Sequence, residues 1–288
     1  MVRRCAIILI DYSQISISNL HTQLKRESEQ LETNLLRHMI LNSIRKVNRE
    51  FGPVYGDIVI CSDNENYWRK SFFKYYKANR KKLRDDSGID WKLVFQTLNE
   101  LRQELSDTFP YKVLNVHMAE ADDVIAIIVK HHSASERILI YSGDHDFMQL
   151  QSYPNVFQYA PAQNKFLQTN DPALFLKEHI LRGDTGDGIP NFLSDDNVFV
   201  TNTRQKSLYQ TKVDVYVTQQ PEEFCDEKQL QNYNRNKTLV DLSQIPSDVE
   251  AAIVDAFAQP IKGNISKIYP YFVKHRMKHL LEMVRDFC

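Results

Sequence analysis

Four short apolar, largely β-branched runs punctuate the first half of the chain, and each ends in acid. Residues 6–10 run into Asp11, and residues 57–61 run through Ser62 into Asp63. A weaker run, residues 112–117, is followed by Glu120-Ala121-Asp122-Asp123. Residues 137–141 pass through Ser142-Gly143 into Asp144-His145-Asp146. Runs of this length and composition predict buried strands. Between them the apolar spacing changes to three and four. Leu31, Leu35, Met39, Ile40, Ile44, Val47 and Phe51 predict a helix over residues 30–51, ended by Gly52-Pro53. Residues 91–105 and 124–129 also read as helical. Strands alternating with helices imply βαβ units, so the expected class is α/β with a mostly parallel central sheet.

After about residue 175 strand signals thin out and helices dominate, with polar loops at residues 191–206 and 219–237. Ser247-x-x-Glu250 predicts a capping box opening a helix through Ala258. Pro260 and Gly263 separate it from a final helical stretch that Pro270 is expected to interrupt. The expected organisation is an α/β domain over residues 1–180 and a smaller C-terminal helical lobe over 181–288.

Composition narrows the classes. The 288 residues, 42% hydrophobic, suffice for one sizeable core or a core plus a lobe. Only 8 are glycine, and none frame a G-x-x-x-x-G-K-[ST] loop, a G-x-G-x-x-G turn or a G-x-S-x-G elbow. Phosphate cradling on a glycine-rich loop is thereby excluded. Cys5, Cys61, Cys225 and Cys288 form no C-x-x-C pair, which fits reduced thiols and argues against zinc or a disulfide framework. Met1-Val2-Arg3-Arg4 resembles the start of a signal peptide, but the apolar run after it stops at Asp11. No stretch approaches 18 apolar residues. The expectation is a soluble cytoplasmic protein with no membrane partner, acting as a monomer.

The acids carry the chemistry. In open parallel sheets ligands bind outside the carboxyl ends of the strands. Here every predicted strand delivers a carboxylate to that edge: Asp11, Asp63, Glu120 with Asp122 or Asp123, and Asp144 with Asp146. Asp184 and Asp187 follow in Gly183-Asp184-Thr185-Gly186-Asp187-Gly188. One aspartate after a strand needs no function, but four strands doing so together crowd like charges that cations must neutralise. Oxygen ligands without His or Cys point to Mg²⁺ or Mn²⁺. The acids outnumber what one Mg²⁺ needs. Two ions about 4 Å apart would use them, an arrangement that serves in-line displacement at phosphorus. His145, between two candidate ligands on a turn, is expected to point outward rather than act as a base.

Residues 66–84 hold eight basic residues, six aromatics and no acid. If helical, Lys70, Lys74, Lys77 and Lys81 line one face, and Arg69, Phe73, Tyr76 and Arg80 an adjacent one. A solvated basic helix whose aromatics pack on the sheet is the bland alternative. Its position directly after Asp63 favours a phosphate-tracking, base-stacking surface for nucleic acid. The formal net charge of −1 hides this: without those eight cations the chain has 28 basic against 37 acidic residues.

The ordered set of Asp11, Asp63, Tyr75-Tyr76-Lys77-Ala78-Asn79-Arg80, Glu120-Ala121-Asp122-Asp123, Ser142-Gly143-Asp144-His145-Asp146 and Gly183-Asp184-x-x-Asp187 resembles the flap-endonuclease (structure-specific 5′ nuclease) superfamily. Within it the chain is most similar to the ribonucleases H of T-even-type bacteriophages. The likeness runs from residue 8 to Tyr269-Pro270-Tyr271-Phe272-Val273-Lys274.

The resemblance implies a PIN-like fold and a Mg²⁺-dependent 5′→3′ exonuclease with flap endonuclease and ribonuclease H activity. Such an enzyme removes RNA primers and adjacent DNA in lagging-strand replication. By motif, Asp11, Asp63, Glu120, Asp122 and Asp144 would hold the first ion. Asp146, Asp184 and Asp187, helped by Asp122 or Asp144, would hold or water-ligate the second; Mn²⁺ would substitute, and Asp123 is the doubtful member. Lys77 and Arg80 match the catalytic cations of the family's helical gateway, here about residues 66–90, and Arg69 becomes a candidate phosphate contact. DNA and RNA–DNA duplexes with a 5′ end or flap are the implied partners, with a single-stranded-DNA-binding protein and a sliding clamp. One departure stands out: after Gly188 there is no glycine until Gly263, so the glycine-rich helix–hairpin–helix of many members is missing.

Other classes fit less well. A haloacid-dehalogenase-type phosphatase needs D-x-D after the first strand, where Asp11 is followed by Tyr12-Ser13. A metal-dependent adhesion module needs D-x-S-x-S, and Ile15 stands at the second serine. A PIN-type single-strand ribonuclease shares the carboxylates but needs no helical lobe. A catalytically inactive nucleic-acid-binding protein would keep carboxylates that repel phosphate.

Overall fold

The computed structural model describes residues 6–26 and 31–288. The Met1–Arg4 start, Cys5 and the predicted helix start at Gln30 lie outside the described residues. Six strands form one sheet: β1 (Ala6–Asp11), β2 (Asp57–Cys61), β3 (Lys112–Leu114), β4 (Arg137–Tyr141), β5 (Val156–Ala160) and β6 (Lys165–Leu167). Their spatial order is β3-β2-β1-β4-β5-β6. The first five strands run parallel, and β6 returns antiparallel on β5. The α/β class with a mostly parallel sheet is as expected. The β5–β6 hairpin is an addition: Val156–Ala160 carries Gln158 at its centre, which masks the apolar run.

The helices are α1 (Tyr12–Arg26), α2 (Thr33–Tyr55), α3 (Trp68–Phe72), α4 (Asn79–Asp85), α5 (Trp91–Thr108), α6 (Ala121–His132) and α7 (Pro172–Arg182). They continue as α8 (Gln210–Tyr216), α9 (Pro221–Phe224), α10 (Glu227–Val240), α11 (Ser247–Ala258), α12 (Ile268–Lys274) and α13 (Lys278–Leu281). Helices cover both sheet faces, so β1 is buried along its whole length. Its side chains alternate between two cores. Ile8 and Ile10 join α1, α2, α5 and the chain's last helices; Ile7 and Leu9 join α6 and α11. Each such buried side chain contributes about 1.5–3 kcal/mol of transfer free energy.

Local expectations fail at three places, each for a physical reason. Helix α2 runs through Gly52-Pro53 to Tyr55 and ends at Gly56, whose φ of 73° lets the chain turn into β2. Ser247 is the first helical residue of α11 rather than a cap, because Pro246 holds the N-cap position. Glu250 instead accepts from Lys130 Nζ (2.7 Å) and lies 2.8 Å from His131 Nε2, tying α11 to α6. Pro270 does not interrupt the last stretch. It sits in the first turn of α12, where no intrahelical N–H bond is lost.

The C-terminal segment divides. Leu181, Phe192, Val213 and Val217 form a cluster of their own with Tyr216, Phe224 and Tyr233. Beyond α10 the chain returns to the sheet: Ile268, Tyr271, Phe272, Leu280 and Phe287 belong to the same core as Ile8 and Ile10. Lys112 Nζ, on β3, donates to the carbonyls of Phe257 and Gln259 (both 2.5 Å), a cation placed at the C-terminal end of α11. Among the described residues no helix is long and apolar enough to cross a membrane.

Candidate metal centre and nucleic-acid interface

The strand order reverses between β1 and β4, so their carboxyl ends open a crevice. Asp11 ends β1, Asp63 follows β2, Asp144 follows β4, and Glu120 and Asp122 stand at the start of α6. Most of these carboxylates are aimed by the turn they begin. Asp11 accepts from Gln14 N (2.9 Å) and Ser142 Oγ (3.2 Å). Asp144 accepts from Asp146 N (3.0 Å), and Asp184 from Asp187 N (3.0 Å). Asp63 accepts from Ser13 Oγ (2.6 Å) and from Ala121 N (2.8 Å), which ties β2 to the first turn of α6.

The loop carrying Asp184 and Asp187 is fixed from α10. Arg235 Nη2 and Asn236 Nδ2 both donate to Pro190 O at 2.9 Å, and Asn236 also reaches Ile180 O (2.9 Å). Asp146, Asp184 and Asp187 line one cleft with Asp122, Arg69 and Tyr76. His179, on the last turn of α7, joins them: its Nδ1 is 3.3 Å from Asp146 Oδ1 and its Nε2 3.8 Å from Asp184 Oδ2.

Residues 66–84 do not form the single helix that their spacing suggests. Helix α3 ends at Phe72, α4 begins at Asn79, and between them Phe73 and Tyr76 are buried. Lys77 adopts a φ of 55°, a conformation rare for a residue with a side chain, and its N–H donates to Asp187 O (2.7 Å). The turn sends its ammonium inward, 2.5 Å from Glu120 Oε1 and 3.6 Å from Asp187 Oδ2. Arg80 pairs with Asp187 as well. Tyr76 OH stands between the same two acids, 2.8 Å from Asp187 Oδ2 and 3.1 Å from Glu120 Oε2.

Arg69 and Asp123 are placed elsewhere than a site role requires. Arg69 is 2% exposed and cannot meet a phosphate. Its guanidinium binds Glu120 Oε2 (2.9 Å), Asp123 Oδ1 (2.8 Å) and Leu239 O (2.8 Å). Asp123 is fully buried and accepts from Glu120 N (2.9 Å), completing the start of α6 rather than facing the crevice. Lys70, Lys74 and Lys81 are exposed, and Lys74 lies 4.9 Å over the Tyr75 ring. His145 is exposed, as expected.

Crowding shows in the proton affinities. Burial, reinforced by the charges of Asp63 and Asp144, pushes the Asp11 carboxyl up to about 7. Burial and the neighbouring Asp144 push Asp122 and Asp146 well above the usual carboxylate range. Asp187 goes the other way: burial acts upward, but Lys77 and Arg80 outweigh it and hold the carboxyl low. Lys77 is held charged because Asp187 and Glu120 overcome the cost of its burial. Burial lowers the His179 imidazole, against the pull of Asp184 and Asp144. The site therefore has one neutralised flank, at Glu120 and Asp187, and one flank of under-compensated acid.

Sequence reasoning missed Ser13, Ser142, Arg235, Asn236 and His179. Ser13 and Ser142 stand beside motif acids and were findable from that spacing; the other three lie in helical stretches and carry no local signal.

Residues 6–178 match the family described as 5′-3′ exonuclease, N-terminal resolvase-like domain, and residues 171–287 match T4 RNase H, C terminal. The chain is 33% identical to the ribonuclease H of Enterobacteria phage T4, over 98% of this chain and 95% of that protein. A 5′-3′ exonuclease of Buchnera aphidicola subsp. Schizaphis graminum is 28% identical over 46% of each chain. Among solved structures, a bacteriophage T5 flap endonuclease complexed with DNA and metal ions aligns with a TM-score of 0.62 at 15% identity, over 88% of this chain and 99% of that one. The T5 5′-exonuclease with divalent zinc bound aligns at 0.57 and 17%, over 96% and 99%. Those two likenesses concern the fold. With the family matches spanning the described sheet and the helices that follow it, the chain belongs to the 5′-3′ exonuclease family of nucleases, in the branch that carries a T4 RNase H-type C-terminal domain.

Proposed function

We infer that this chain is a Mg²⁺-dependent 5′→3′ exonuclease and flap endonuclease that removes RNA primers and adjacent DNA from RNA–DNA and DNA duplexes during lagging-strand replication. The observation that carries the reading is the crevice itself, where acids from three strand ends, the start of α6 and the 184–188 loop meet the inward-turned Lys77 and the guanidinium of Arg80. Among the described residues Asp11 and Asp122 form no ion pair and Asp146 meets only the His179 ring, and a carboxylate-rich set of that kind fits hard divalent ions. Asp11, Asp63, Glu120, Asp122 and Asp144 would hold one ion. Asp146, Asp184 and Asp187, with help from Asp122 or Asp144, would hold or water-ligate a second. When bound, two such ions supply a hydrolytic water at neutral pH and neutralise charge on the leaving oxygen.

The chain's own residues do the rest. Tyr76 OH and Arg69 hold Glu120 and Asp187 at fixed positions, so the ligand geometry is set before substrate arrives. Lys77 and Arg80 present two donors at the cleft mouth, where a phosphate competes with Glu120 and Asp187 for them and its developing charge is stabilised. Lys70, Lys74 and Lys81 steer the backbone from outside. A single-stranded-DNA-binding protein and a sliding clamp are proposed partners, and a phage-infected host cytoplasm the setting, from the resemblance to the T-even enzymes.

The test is cleavage of a 5′-flapped duplex and an RNA–DNA hybrid, each with Mg²⁺ or EDTA. Shortening from the 5′ end with Mg²⁺ alone is expected, and failure on both substrates sinks the reading. Asp122→Asn is expected to abolish cleavage while binding of the flapped duplex persists.

A further inference from the structure

The acids at the crevice are the expected donors, but the described residues also place an imidazole against two of them. His179 has a side chain 12% exposed, and its Nδ1 is shielded from solvent with no hydrogen-bond partner. That atom lies 3.3 Å from Asp146 Oδ1, and Nε2 lies 3.8 Å from Asp184 Oδ2. One donor atom from each of Asp146, His179 and Asp184 falls within 4.8 Å of the other two. Donors around one ion at about 2.1 Å stand about 3–4.2 Å apart, a range that holds the 3.3 Å and 3.8 Å separations. The ring is already oriented: Phe175 meets it edge-on at 5.9 Å, and the His179 carbonyl accepts the Gly183 N–H that ends α7.

We propose that His179 is a direct ligand of the ion held by Asp146 and Asp184, making this a mixed nitrogen–oxygen position that prefers a transition ion such as Mn²⁺ to Mg²⁺. The inference rests on the two-ion reading above and refines it. First-row transition ions, Mn²⁺ included, accept an imidazole nitrogen better than Mg²⁺ does, whereas the position around Asp11, Asp63 and Glu120 offers oxygen alone. The two positions therefore differ in the ion they select. Nδ1 stands beside Asp146 and Nε2 faces Asp184, and Nδ1 has no hydrogen-bond partner among the described residues.

The experiment is titration of Mn²⁺ into the whole chain without nucleic acid, followed by electron paramagnetic resonance, with spin-echo modulation on protein carrying nitrogen-15 histidine. Two bound ions are expected, one of them showing imidazole-nitrogen coupling that changes with the label. His179→Ala should remove the coupling and weaken that ion about tenfold to a hundredfold, with a smaller loss for Mg²⁺ measured by competition. His179→Gln, which keeps the volume, should do the same if His179→Ala perturbs folding by circular dichroism. His145→Ala, removing the other imidazole of the cleft, should leave the coupling in place. Two Mn²⁺ ions without nitrogen coupling, or coupling lost only in His145→Ala, overturns the assignment and leaves the two-ion reading standing. One ion with coupling retains His179 and overturns the two-ion reading; no bound ion overturns both.

Discussion

Lys77 combines a strained backbone with a buried charge: φ is 55°, and its ammonium lies between Glu120 and Asp187. Left-handed conformations of residues with side chains cost about 1–3 kcal/mol and persist where the surroundings over-determine them. Here the surroundings are the 184–188 loop, which accepts the Lys77 N–H and receives Asn79 and Arg80 on its carbonyls. In the proposed nuclease reaction a donor so placed would act on charge that develops during cleavage more than on the bound ground state. Lys77→Ala is expected to slow single-turnover cleavage by about 10²–10³, with a much smaller change in the affinity for flapped DNA measured in EDTA. Equal losses in both would make Lys77 a steering group like Lys70.

At the scale of elements, α3 and α4 with the turn between them form a bent unit clamped to α6 and α10. Arg69 links α3 to the start of α6 and to the last turn of α10 through Glu120, Asp123 and Leu239 O, all away from water. Arg69→Met would leave buried Asp123 without its cation and Glu120 with Lys77 alone. Breaking a buried pair in this way costs about 3–5 kcal/mol, to be read as a lower urea midpoint with an unchanged slope. An unchanged midpoint would show that the pair is dispensable. Gly183 shapes the turn from α7 into the Asp184 loop. Its φ is 64°, and an added Cβ would stand 2.4 Å from Ile189 O and 2.5 Å from Pro190 O. Gly183→Ala is expected to displace Asp184 and weaken ion binding while the sheet survives, seen as lost Mn²⁺ affinity with unaltered far-ultraviolet circular dichroism.

For the whole molecule, the crevice is a site of stored repulsion, and this sets its pH dependence. Asp11, Asp122 and Asp146 have folded-state proton affinities above the unfolded value, so the folded chain holds more protons than the unfolded one. Their stabilising contribution is complete below about 3.8 and is lost as pH rises through the folded values, about 7 for Asp11. Asp187 has the opposite sign, and its contribution is lost only in acid. In EDTA the melting temperature is therefore expected to fall by several degrees from pH 5.5 to 8. Mg²⁺ or Mn²⁺ should reverse the trend, stabilising most above pH 7; a metal-free protein equally stable across that range would refute it. Which acids gather at the crevice was legible in the sequence. Each follows an apolar run or sits in a glycine-bounded loop, and strand polarity alone sends the ends of β1, β2 and β4 to one edge. The helical period of α2, α5 and α6 was legible for the same reason, since local spacing records which residues share a face. It does not record which distant elements meet. Arg69 turns inward because Leu239, 170 residues later, offers a carbonyl; the basic segment breaks at Lys77 because the Asp187 loop accepts its N–H; and His179 reaches Asp146 and Asp184 only once α7 docks beside the crevice. The sequence by itself determined the carboxylates at the strand ends and the layered sheet. Tertiary packing alone decided which cations face the acids and which are buried beneath them.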